Sequence, residues 1–314
     1  MNDTDIAVIG GGLAGLSAAL QAARLGRRCT VFTGATPGGL LLAIESIQGM
    51  PGYPEGIPGY DLGPMTLEAA MDAGAQCVAA EADKLERDGD DWIVHSAEGS
   101  VRAPAVILAP GGRLRTLGVE GEQRLFGKGV SHCASCDAPL LRNRPVAVVG
   151  GGDAACQEAL TLAAHASAVH LLVRGRALRA QKFWRDRVAA QPRIQVRFGA
   201  AVQEVLGDTA VRAVRLTDGE LAVDALFVYA GLLPNTGFLA GTVALDAGGW
   251  IAADPLLCTA APGLLAAGFV RVGNSGQAVG AAADGIAAAF TAHRYLDSRR
   301  WPVPAGDNPS KGNI

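Results

Sequence analysis

A chain of 314 residues exceeds the usual size of one domain, so two domains with sizeable hydrophobic cores are expected. The formal net charge of −3, with 18% charged residues and no basic block, argues against a nucleic-acid-binding surface. No apolar run is long enough to cross a membrane and residues 1–12 lack the basic region of a signal peptide, so we expect a cytoplasmic protein with reduced thiols.

The first predicted elements, in residues 5–32, are a strand, a glycine-rich turn, a helix and a second strand. In such a turn one glycine permits the tight bend, a second lets the backbone approach a pyrophosphate, and a third small residue lets the helix pack on the strand. The positive helix N-terminus then faces the anion. The second strand ends at Thr33 without the carboxylate that holds a ribose hydroxyl in many NAD sites, which disfavours a generic NAD site.

A close pair of cysteines follows the next predicted strands. Residues 91–112 predict a hairpin and then a buried strand that ends at a glycine turn. Beyond them, Cys133 and Cys136 enclose two residues and stand directly before Asp137. A zinc site needs about four ligands, usually from two such pairs, and His132 is too close to Cys133 to complete one. A redox couple is therefore favoured over a zinc site, and no metal is expected.

The strand, turn, helix and strand pattern recurs in residues 145–173, with Gly150, Gly152 and Ala155 at the corresponding positions. One such motif is weak evidence, but two copies, each between a strand and a helix, predict an α/β fold with two Rossmann-like dinucleotide-binding domains. The alternative for each copy is a turn that packing alone requires and that binds no ligand.

The remaining elements complete the predicted fold. Residues 194–230 predict further strands, and residues 231–238 predict a turn-rich crossover. Residues 263–270 predict an apolar strand ending at Gly268, followed by a small-residue helix that ends near Leu296. The tail after this helix is polar and rich in Pro and Gly, so it predicts no regular structure.

Nine segments, taken in chain order, resemble the low-molecular-weight thioredoxin reductase family: IGGGLAG, TPGGLL, MPGYPEGI, CASCD, VVGGGDAACQEAL, VHLLVRGRALRA, GLLPNT, GLLAAG and GQAVGAAADG. The resemblance covers roughly residues 4–297. It implies a discontinuous FAD-binding domain, residues 1–114 and 243–300, with an NADPH-binding-like domain, residues 115–242, inserted into it. Residues 301–314 form a C-terminal tail, and a homodimer is implied.

By this resemblance Cys133 and Cys136 form a redox-active disulfide beside the flavin. Cys136 faces the flavin, Cys133 attacks the substrate disulfide, and Asp137 carries a proton to the departing thiol or the reduced flavin. Two intervening residues let the bond open with little backbone movement, and a turn or helix start favours the thiolate nucleophile. A helix N-cap is the alternative role for Asp137. His132 is expected to be an incidental strand-end side chain, and the other four cysteines are expected to be buried core residues.

The resemblance also assigns FAD-binding positions. They are Gly10, Gly12, Ala14 and Gly15 at the pyrophosphate, Thr33, Gly38, Gly39 and Leu40 along the adenosine and toward the flavin, and Gly268, Gln277 and Ala278 at the flavin end. The helix start at Gln277 would stabilise an anionic reduced flavin. Leu40, Phe269 and Gly276 replace the family's glutamine, acid and arginine. One lost hydrogen bond costs about 0.5–1.5 kcal/mol, so FAD remains the expected cofactor.

The second dinucleotide position departs further from the family. The matching positions are Gly150, Gly152, Ala155, Arg174 and Arg179. The family binds the 2′-phosphate of NADPH through a His-Arg-Arg run and a further arginine, and here Val173 and Gly175 replace two of those four residues. We therefore expect poor use of NADPH.

The expected function is disulfide oxidoreduction, with electrons exchanged between FAD, the Cys133–Cys136 disulfide and a thioredoxin-like or small dithiol/disulfide partner. A second flavin or a ferredoxin-like protein is the expected donor or acceptor. The alternatives are a conventional NADPH-dependent thioredoxin reductase, a dithiol oxidase that uses oxygen, and a flavin redox sensor without turnover. The tail that begins at Trp301 is expected to pack at the dimer interface near a cofactor, and the alternative is a disordered terminus with one exposed Trp.

Overall fold

The computed structural model describes residues 2–239 and 241–302. It divides into two compact units, Met1–Arg113 with Pro234–Ile314, and Leu114–Leu233. The second unit thus ends at Leu233, where the sequence led us to expect residue 242. The physical reason lies in Asn235, which donates hydrogen bonds from its backbone N–H to the Gly111 carbonyl (3.0 Å) and from its side chain to the Pro110 carbonyl (3.1 Å). These bonds hold the segment after Leu233 in the first unit.

Most of the regular elements in the described residues are short strands. They are β1 (Asn2–Asp3), β2 (Ile6–Ile9), β3 (Cys29–Phe32), β4 (Gln76–Val78), β5 (Ala82–Asp88), β6 (Asp91–Ser96), β7 (Gly99–Ala103), β8 (Ala105–Leu108), β9 (Gly112–Leu114), β10 (Val130–Ser131), β11 (Pro145–Val149), β12 (Ala168–Val173), β13 (Ile194–Phe198), β14 (Val202–Leu206), β15 (Ala213–Leu216), β16 (Gly219–Ala222), β17 (Ala225–Val228), β18 (Leu232–Pro234) and β19 (Leu264–Ala266).

The α-helices are α1 (Leu13–Arg24), α2 (Gly59–Asp72), α3 (Ala134–Asp137), α4 (Asp153–Ala163), α5 (Lys182–Ala190) and α6 (Ala278–Ser298). Short 3-10 helices span Gly39–Ala43, Ala138–Leu141, Gly237–Leu239 and Gly268–Val270. Of the helices in the described part of the chain, none is long and apolar enough to cross a membrane.

The first unit is built on a parallel sheet in the order β19-β8-β2-β3-β4. β2, β3 and β8 are buried along their whole length, as the continuous apolar runs predict for parallel strands covered on both faces. A second sheet, β1-β7-β6-β5, contains the predicted hairpin. α6 lies against α1 so closely that a Cβ on Gly285 would be 2.0 Å from the Ala14 carbonyl oxygen. Small residues on both helices make this approach sterically acceptable.

The second unit repeats the design with a parallel sheet in the order β10-β17-β11-β12-β13. An antiparallel sheet, β14-β15-β16, accompanies it. The expected α/β class with two Rossmann-like units is confirmed. Two boundaries differ from expectation: β19 stops at Ala266, before the turn at Gly268, and α6 continues to Ser298. The tight turn at Gly268 has a φ of +75°, which ends the strand.

Candidate active site: two glycine turns and a disulfide

The first glycine turn, between β2 and α1, requires glycine at its outer positions. Gly10 has a φ of +120°, and a Cβ there would lie 2.1 Å from the Ala109 carbonyl oxygen. A Cβ on Gly15 would lie 1.8 Å from the Gly10 carbonyl oxygen. The turn is therefore folded against the end of β8 and the first turn of α1, and any side chain at either position would open it.

The N-terminus of α1 faces open space. Gly12 is its N-cap and offers no side chain, so no side-chain cap hydrogen bond forms, and the first turn carries no acid. A Cβ on Gly12 would meet nothing within 4 Å. The first backbone N–H groups of the helix, with the positive end of its dipole, are therefore not capped by a side chain and suit a phosphate. The residues present fit the pyrophosphate of a dinucleotide.

The adjoining segments lie against this turn. The Gly38 N–H donates to the Gly11 carbonyl (2.8 Å), and a Cβ on Gly39 would lie 3.4 Å from the Cα of Gly12. Gly38 has a φ of +115°, which only glycine adopts readily. Leu40 follows within the 3-10 helix Gly39–Ala43. The segment expected to run along the nucleotide is thereby held beside the pyrophosphate position.

The buried Thr33 hydroxyl, directly after β3, lies within hydrogen-bond distance of the carbonyls of Gly34 (3.0 Å) and Val78 (3.2 Å), which share its single proton. Its proton is therefore already engaged in a hydrogen bond to the backbone and is not available to a ligand. The oxygen keeps its acceptor capacity, so Thr33 could bind a ribose hydroxyl only by accepting its hydrogen bond.

Gly268 is linked to α6 through an ion pair that the sequence did not reveal. The Gly268 N–H donates to the Asp284 carboxylate of α6 (3.0 Å), and Arg271 donates two further hydrogen bonds to the same carboxylate (2.5 and 2.9 Å). A Cβ on Gly268 would lie 2.7 Å from the Cβ of Ala14. Asp284 thus ties the end of β19 to α6 next to the first turn of α1. No local pattern relates residues 13 and 16 positions apart in this way.

Phe269, which stands where the family has an acid, packs edge-on against Trp250 with ring centroids 4.6 Å apart. Gln277 is the N-cap of α6 without a side-chain cap bond, and Ala278 is its first residue. The side chain of Asn274 donates to the Phe269 carbonyl (3.0 Å) and closes the loop before α6. The start of α6 therefore has no side-chain cap from Gln277, and the loop before it is held by the side chain of Asn274.

The Asp284 ion pair gives a stability prediction. Asp284→Asn is expected to lower the free energy of unfolding by about 1–3 kcal/mol, because the carboxylate is only 14% exposed and accepts three hydrogen bonds. The matched control is Asp186→Asn, which removes the carboxylate from an exposed pair with Lys182 and should cost no more than about 0.5 kcal/mol. Urea unfolding of both variants measures the difference, and equal losses would contradict the prediction.

The second glycine turn, between β11 and α4, repeats the first with one electrostatic difference. Gly150 has a φ of +144° and a Cβ there would lie 2.5 Å from the Tyr229 carbonyl oxygen, while Ala155 packs directly beneath it. Gly152 is the N-cap of α4 and again faces open space. However, Asp153 lies in the first helical turn, where α1 has no acid. A phosphate approaching this turn meets a negative charge as well as the helix N-terminus.

The loop after β12 lies over this second turn. The N–H groups of Arg179 and Ala180 donate to the Gly151 carbonyl (2.7 and 3.1 Å). Asp153 accepts hydrogen bonds from the backbone and side chain of Gln181 (2.7 and 2.5 Å), which fixes the end of the loop. Arg174 and Arg179 are exposed. The loop therefore holds Arg179 beside the glycine turn without committing either guanidinium to a described partner.

Positions 173 and 175, where this chain departs from the family, differ in the size of side chain that they can accommodate. Val173 is 4% exposed and its Cγ1 would lie 3.0 Å from a Cβ on Gly151, so it fills the space beneath the turn. Gly175 is exposed, is not in the left-handed region, and a Cβ there would meet only the Ala177 carbonyl at 3.9 Å. Position 175 would accept a larger side chain without strain, whereas position 173 would not.

Cys133 and Cys136 form a disulfide at the start of α3, with their Cα atoms 5.3 Å apart. Cys133 is the N-cap, and its Sγ accepts a hydrogen bond from the Cys136 N–H (3.3 Å). The Cys133 N–H in turn donates to the Ser131 hydroxyl (3.1 Å). After reduction the same N–H would favour a thiolate at Cys133 over one at Cys136, since a sulfur anion accepts that bond more strongly.

Asp137 is the last residue of α3 and makes no side-chain cap bond, either there or to the 3-10 helix that it precedes. Asp137 thus occupies the N-cap position of the 3-10 helix Ala138–Leu141 without a side-chain cap hydrogen bond, whereas Cys133 is the N-cap of α3. The proton-transfer role of Asp137 stays a prediction. His132 lies at the end of β10, with its Nδ1 2.9 Å from the Val228 carbonyl oxygen and its ring against Phe126. Its imidazole is held by the strand end, as expected for a structural side chain.

Of the other cysteines, Cys29, Cys156 and Cys258 are buried, and Cys77 is half-buried. Burial raises the pKa of the Cys29 thiol to about 12 and that of the Cys156 thiol to about 11. Both remain protonated at neutral pH and are poor nucleophiles. The expected burial holds for three of the four and only partly for Cys77.

Trp301, the first residue of the expected tail, packs within its own chain. Its indole N–H donates to the Thr259 carbonyl (3.1 Å), and its ring lies edge-on to Tyr295 with centroids 5.1 Å apart. It is half-buried, which differs from the exposed alternative. Residues 303–314 lie outside the described residues, and a place for the tail at a dimer interface remains a prediction.

Two dinucleotide-binding folds, one carrying a disulfide at a helix start, define a nucleotide-linked disulfide oxidoreductase. Residues 4–285 match the family described as pyridine nucleotide-disulphide oxidoreductase, and the chain belongs to that family. It is 37% identical to the thioredoxin reductase of Treponema pallidum over 302 residues, covering 94% of this chain and 98% of that protein. The chain is thus a thioredoxin reductase-like, FAD-dependent disulfide oxidoreductase.

Solved structures agree with this assignment. The crystal structure of Lactococcus lactis thioredoxin reductase superposes with a TM-score of 0.89 at 30% identity, covering 94% of this chain and 99% of that one. A ferredoxin-flavin thioredoxin reductase from Clostridium acetobutylicum superposes with a TM-score of 0.53 at 27% identity, covering 95% and 99%. The expected family, fold class and enzyme class are therefore confirmed.

Proposed function

We propose that this enzyme passes electron pairs between FAD, the Cys133–Cys136 disulfide and a thioredoxin-like or small dithiol/disulfide partner, as a cytoplasmic homodimer, and that NADPH is a poor donor. The observation that carries the proposal is the disulfide itself, placed so that the Sγ of Cys133 accepts the Cys136 N–H. The open glycine turn before α1 supports FAD as the resident cofactor, which supplies reversible two-electron chemistry when bound.

The chain's own residues carry the exchange. In the reduced pair, the Cys133 thiolate attacks one sulfur of the partner disulfide and forms a mixed disulfide, while the other partner sulfur leaves and takes a proton. The Cys136 thiolate then attacks the Cys133 sulfur, which restores the disulfide and releases the partner as a dithiol. Asp137, one residue from Cys136, supplies or removes the proton at the departing sulfur. The reverse sequence oxidises a dithiol, so the same residues serve either direction of electron flow.

Two observations at the second glycine turn support poor NADPH use. Val173 fills the space beneath the turn with an apolar side chain, where the family has histidine. Gly175 supplies no cation, where the family has arginine. Each of these weakens binding of a phosphorylated dinucleotide, and because they act on the same ligand their effects need not add.

A different donor or acceptor follows from this proposal. We favour a ferredoxin-like protein or a second flavin, and the structural likeness to a ferredoxin-flavin thioredoxin reductase supports that choice. The conventional NADPH-dependent reaction is the second candidate, because the glycine turn itself and Arg174 and Arg179 are intact. A dithiol oxidase that uses oxygen would need the same pair with electrons moving toward the flavin.

Anaerobic titration of the purified yellow protein tests the proposal. Dithiothreitol should bleach the flavin absorbance stoichiometrically, because its two electrons enter through the disulfide, whereas NADPH should bleach it slowly. Complete bleaching within about a second at micromolar NADPH, an ordinary enzymatic rate, would support the conventional reaction instead. Failure of dithiothreitol to reduce the flavin while it opens the disulfide would favour a redox sensor without turnover.

A further inference from the structure

We propose that Tyr229 is a positioning residue that fixes the backbone on both sides of Cys133. The inference rests on the proposed disulfide exchange and adds to it a residue that the sequence did not single out. Tyr229 follows β17, and its hydroxyl reaches the segment that carries the disulfide, 95 positions away from Ala134 in sequence.

The Tyr229 hydroxyl is bonded to both neighbours of Cys133. It accepts a hydrogen bond from the Ala134 N–H (3.2 Å) and donates one to the His132 carbonyl (3.2 Å). The two peptide groups that flank Cys133 are thus held by one oxygen atom. With the Ser131 hydroxyl accepting the Cys133 N–H (3.1 Å), the residue has little freedom to move along the strand end.

The backbone of Tyr229, which positions the hydroxyl, is itself held in place. The Tyr229 N–H donates to the Val149 carbonyl (2.8 Å), which extends the pairing of β17 with β11. Its own carbonyl lies against the second glycine turn, since a Cβ on Gly150 would approach it to 2.5 Å. Tyr229 therefore links that turn to the Cys133 segment within the same unit, and neither end of the residue moves freely.

The hydroxyl also keeps its proton over the range in which disulfides exchange. Burial, assisted by the negative charge of Glu158, holds the pKa of Tyr229 well above its ordinary value. Tyr229 consequently acts as donor to His132 and acceptor from Ala134 at every pH at which the enzyme would be assayed.

The hydrogen bonds of Tyr229 affect the reactivity of the nucleophile, Cys133. Cys133 accepts the Cys136 N–H only while the turn between them holds its shape, and this bond stabilises a thiolate. Removing the Tyr229 hydroxyl leaves the His132 carbonyl and the Ala134 N–H without that partner, and the segment can then relax away from the capped geometry. The thiolate at Cys133 would be less populated, so Cys133 would react more slowly.

The test is Tyr229→Phe, which keeps the ring and removes only the hydroxyl. The protein is reduced anaerobically with dithiothreitol, which becomes its cyclic disulfide as Cys133 and Cys136 become thiols. After desalting, the rate of iodoacetamide modification at Cys133 is followed by peptide mass spectrometry. We expect a rate about three- to tenfold below that of the wild type, the effect of one net hydrogen bond. The disulfide/dithiothreitol equilibrium constant is measured on the same samples and should shift in favour of the disulfide.

Two internal controls make the result decisive. Tyr295→Phe makes the same chemical change in the other unit and should leave both quantities unchanged. Cys156 is fully buried, so its lack of modification shows that each variant is folded while Cys133 is measured. Wild-type reactivity and equilibrium in folded Tyr229→Phe would overturn the inference. If the wild-type pair itself were not opened by dithiothreitol, the proposed function would fail instead.

Discussion

Cys136→Ser is expected to abolish turnover of a disulfide partner while leaving FAD bound. Cys133 would still attack the partner, but the mixed disulfide would persist because no second sulfur remains to resolve it. The rate should fall by about three orders of magnitude or more, since the variant loses the chemical step itself and not only a contact. Steady-state reduction of a thioredoxin or of a small aromatic disulfide measures the loss, and the visible spectrum reports the flavin.

Cys77→Ser is the matched control for this change. Cys77 is half-buried in β4 of the first unit and takes no part in the disulfide, so its serine variant should keep wild-type turnover. Cys133→Ser should be as inactive as Cys136→Ser, but without accumulating the mixed disulfide. Wild-type turnover in Cys136→Ser would remove the proposed role of the pair.

The second large effect is a gain of function at position 175. Gly175→Arg is expected to increase the affinity for NADPH about ten- to a hundredfold, because one charge-assisted hydrogen bond from arginine to phosphate is worth about 1.5–3 kcal/mol. The backbone at Gly175 accepts a side chain without strain and the surrounding space is open, so the fold should be unaffected. Stopped-flow flavin reduction over a range of NADPH concentrations gives the apparent dissociation constant.

The increase in affinity should be confined to NADPH, the nucleotide that carries a 2′-phosphate. NADH lacks the 2′-phosphate, so its affinity should hardly change, and this separates a specific contact from a general increase in positive charge. Gly237→Arg is the matched control, since Gly237 also faces open space outside the left-handed region but lies in the first unit. Two results would contradict a phosphate site at this loop. One is an equal gain in NADPH affinity in Gly175→Arg and Gly237→Arg, and the other is an equal gain in affinity for NADPH and NADH in Gly175→Arg.

Much of this site could be predicted from sequence because its chemistry depends on local spacing. Gly10 and Gly150 occur where a strand must turn at once into a helix, and the structure gives both a positive φ and no room for a Cβ. Cys133 and Cys136 are close enough in sequence that one helical turn brings their sulfurs together. The apolar runs also predicted the strands themselves, and their burial on both faces of a parallel sheet explains why the runs do not alternate with polar residues.

Other features were decided only by the tertiary structure. Asp284 and Arg271 pair across a loop, and Tyr229, directly after β17, bonds Ala134 beside Cys133 from far along the chain. Asp153 and Gln181 meet because the loop after β12 folds back over the second glycine turn. Such contacts join residues whose separation follows neither the 3.6-residue period of a helix nor the two-residue period of a strand.

The sequence by itself determined the two glycine turns, the redox pair and the strand and helix on either side of each turn, because each follows from backbone geometry over a few residues. Only the tertiary structure decided which polar groups hold those parts in place. The Thr33 hydroxyl lies within hydrogen-bond distance of the Val78 carbonyl and the Tyr229 hydroxyl donates to His132, and neither partner could be inferred from neighbours in the chain. The physical reason is that a hydrogen bond selects its partner by distance and direction in space, which only the packed sheets supply.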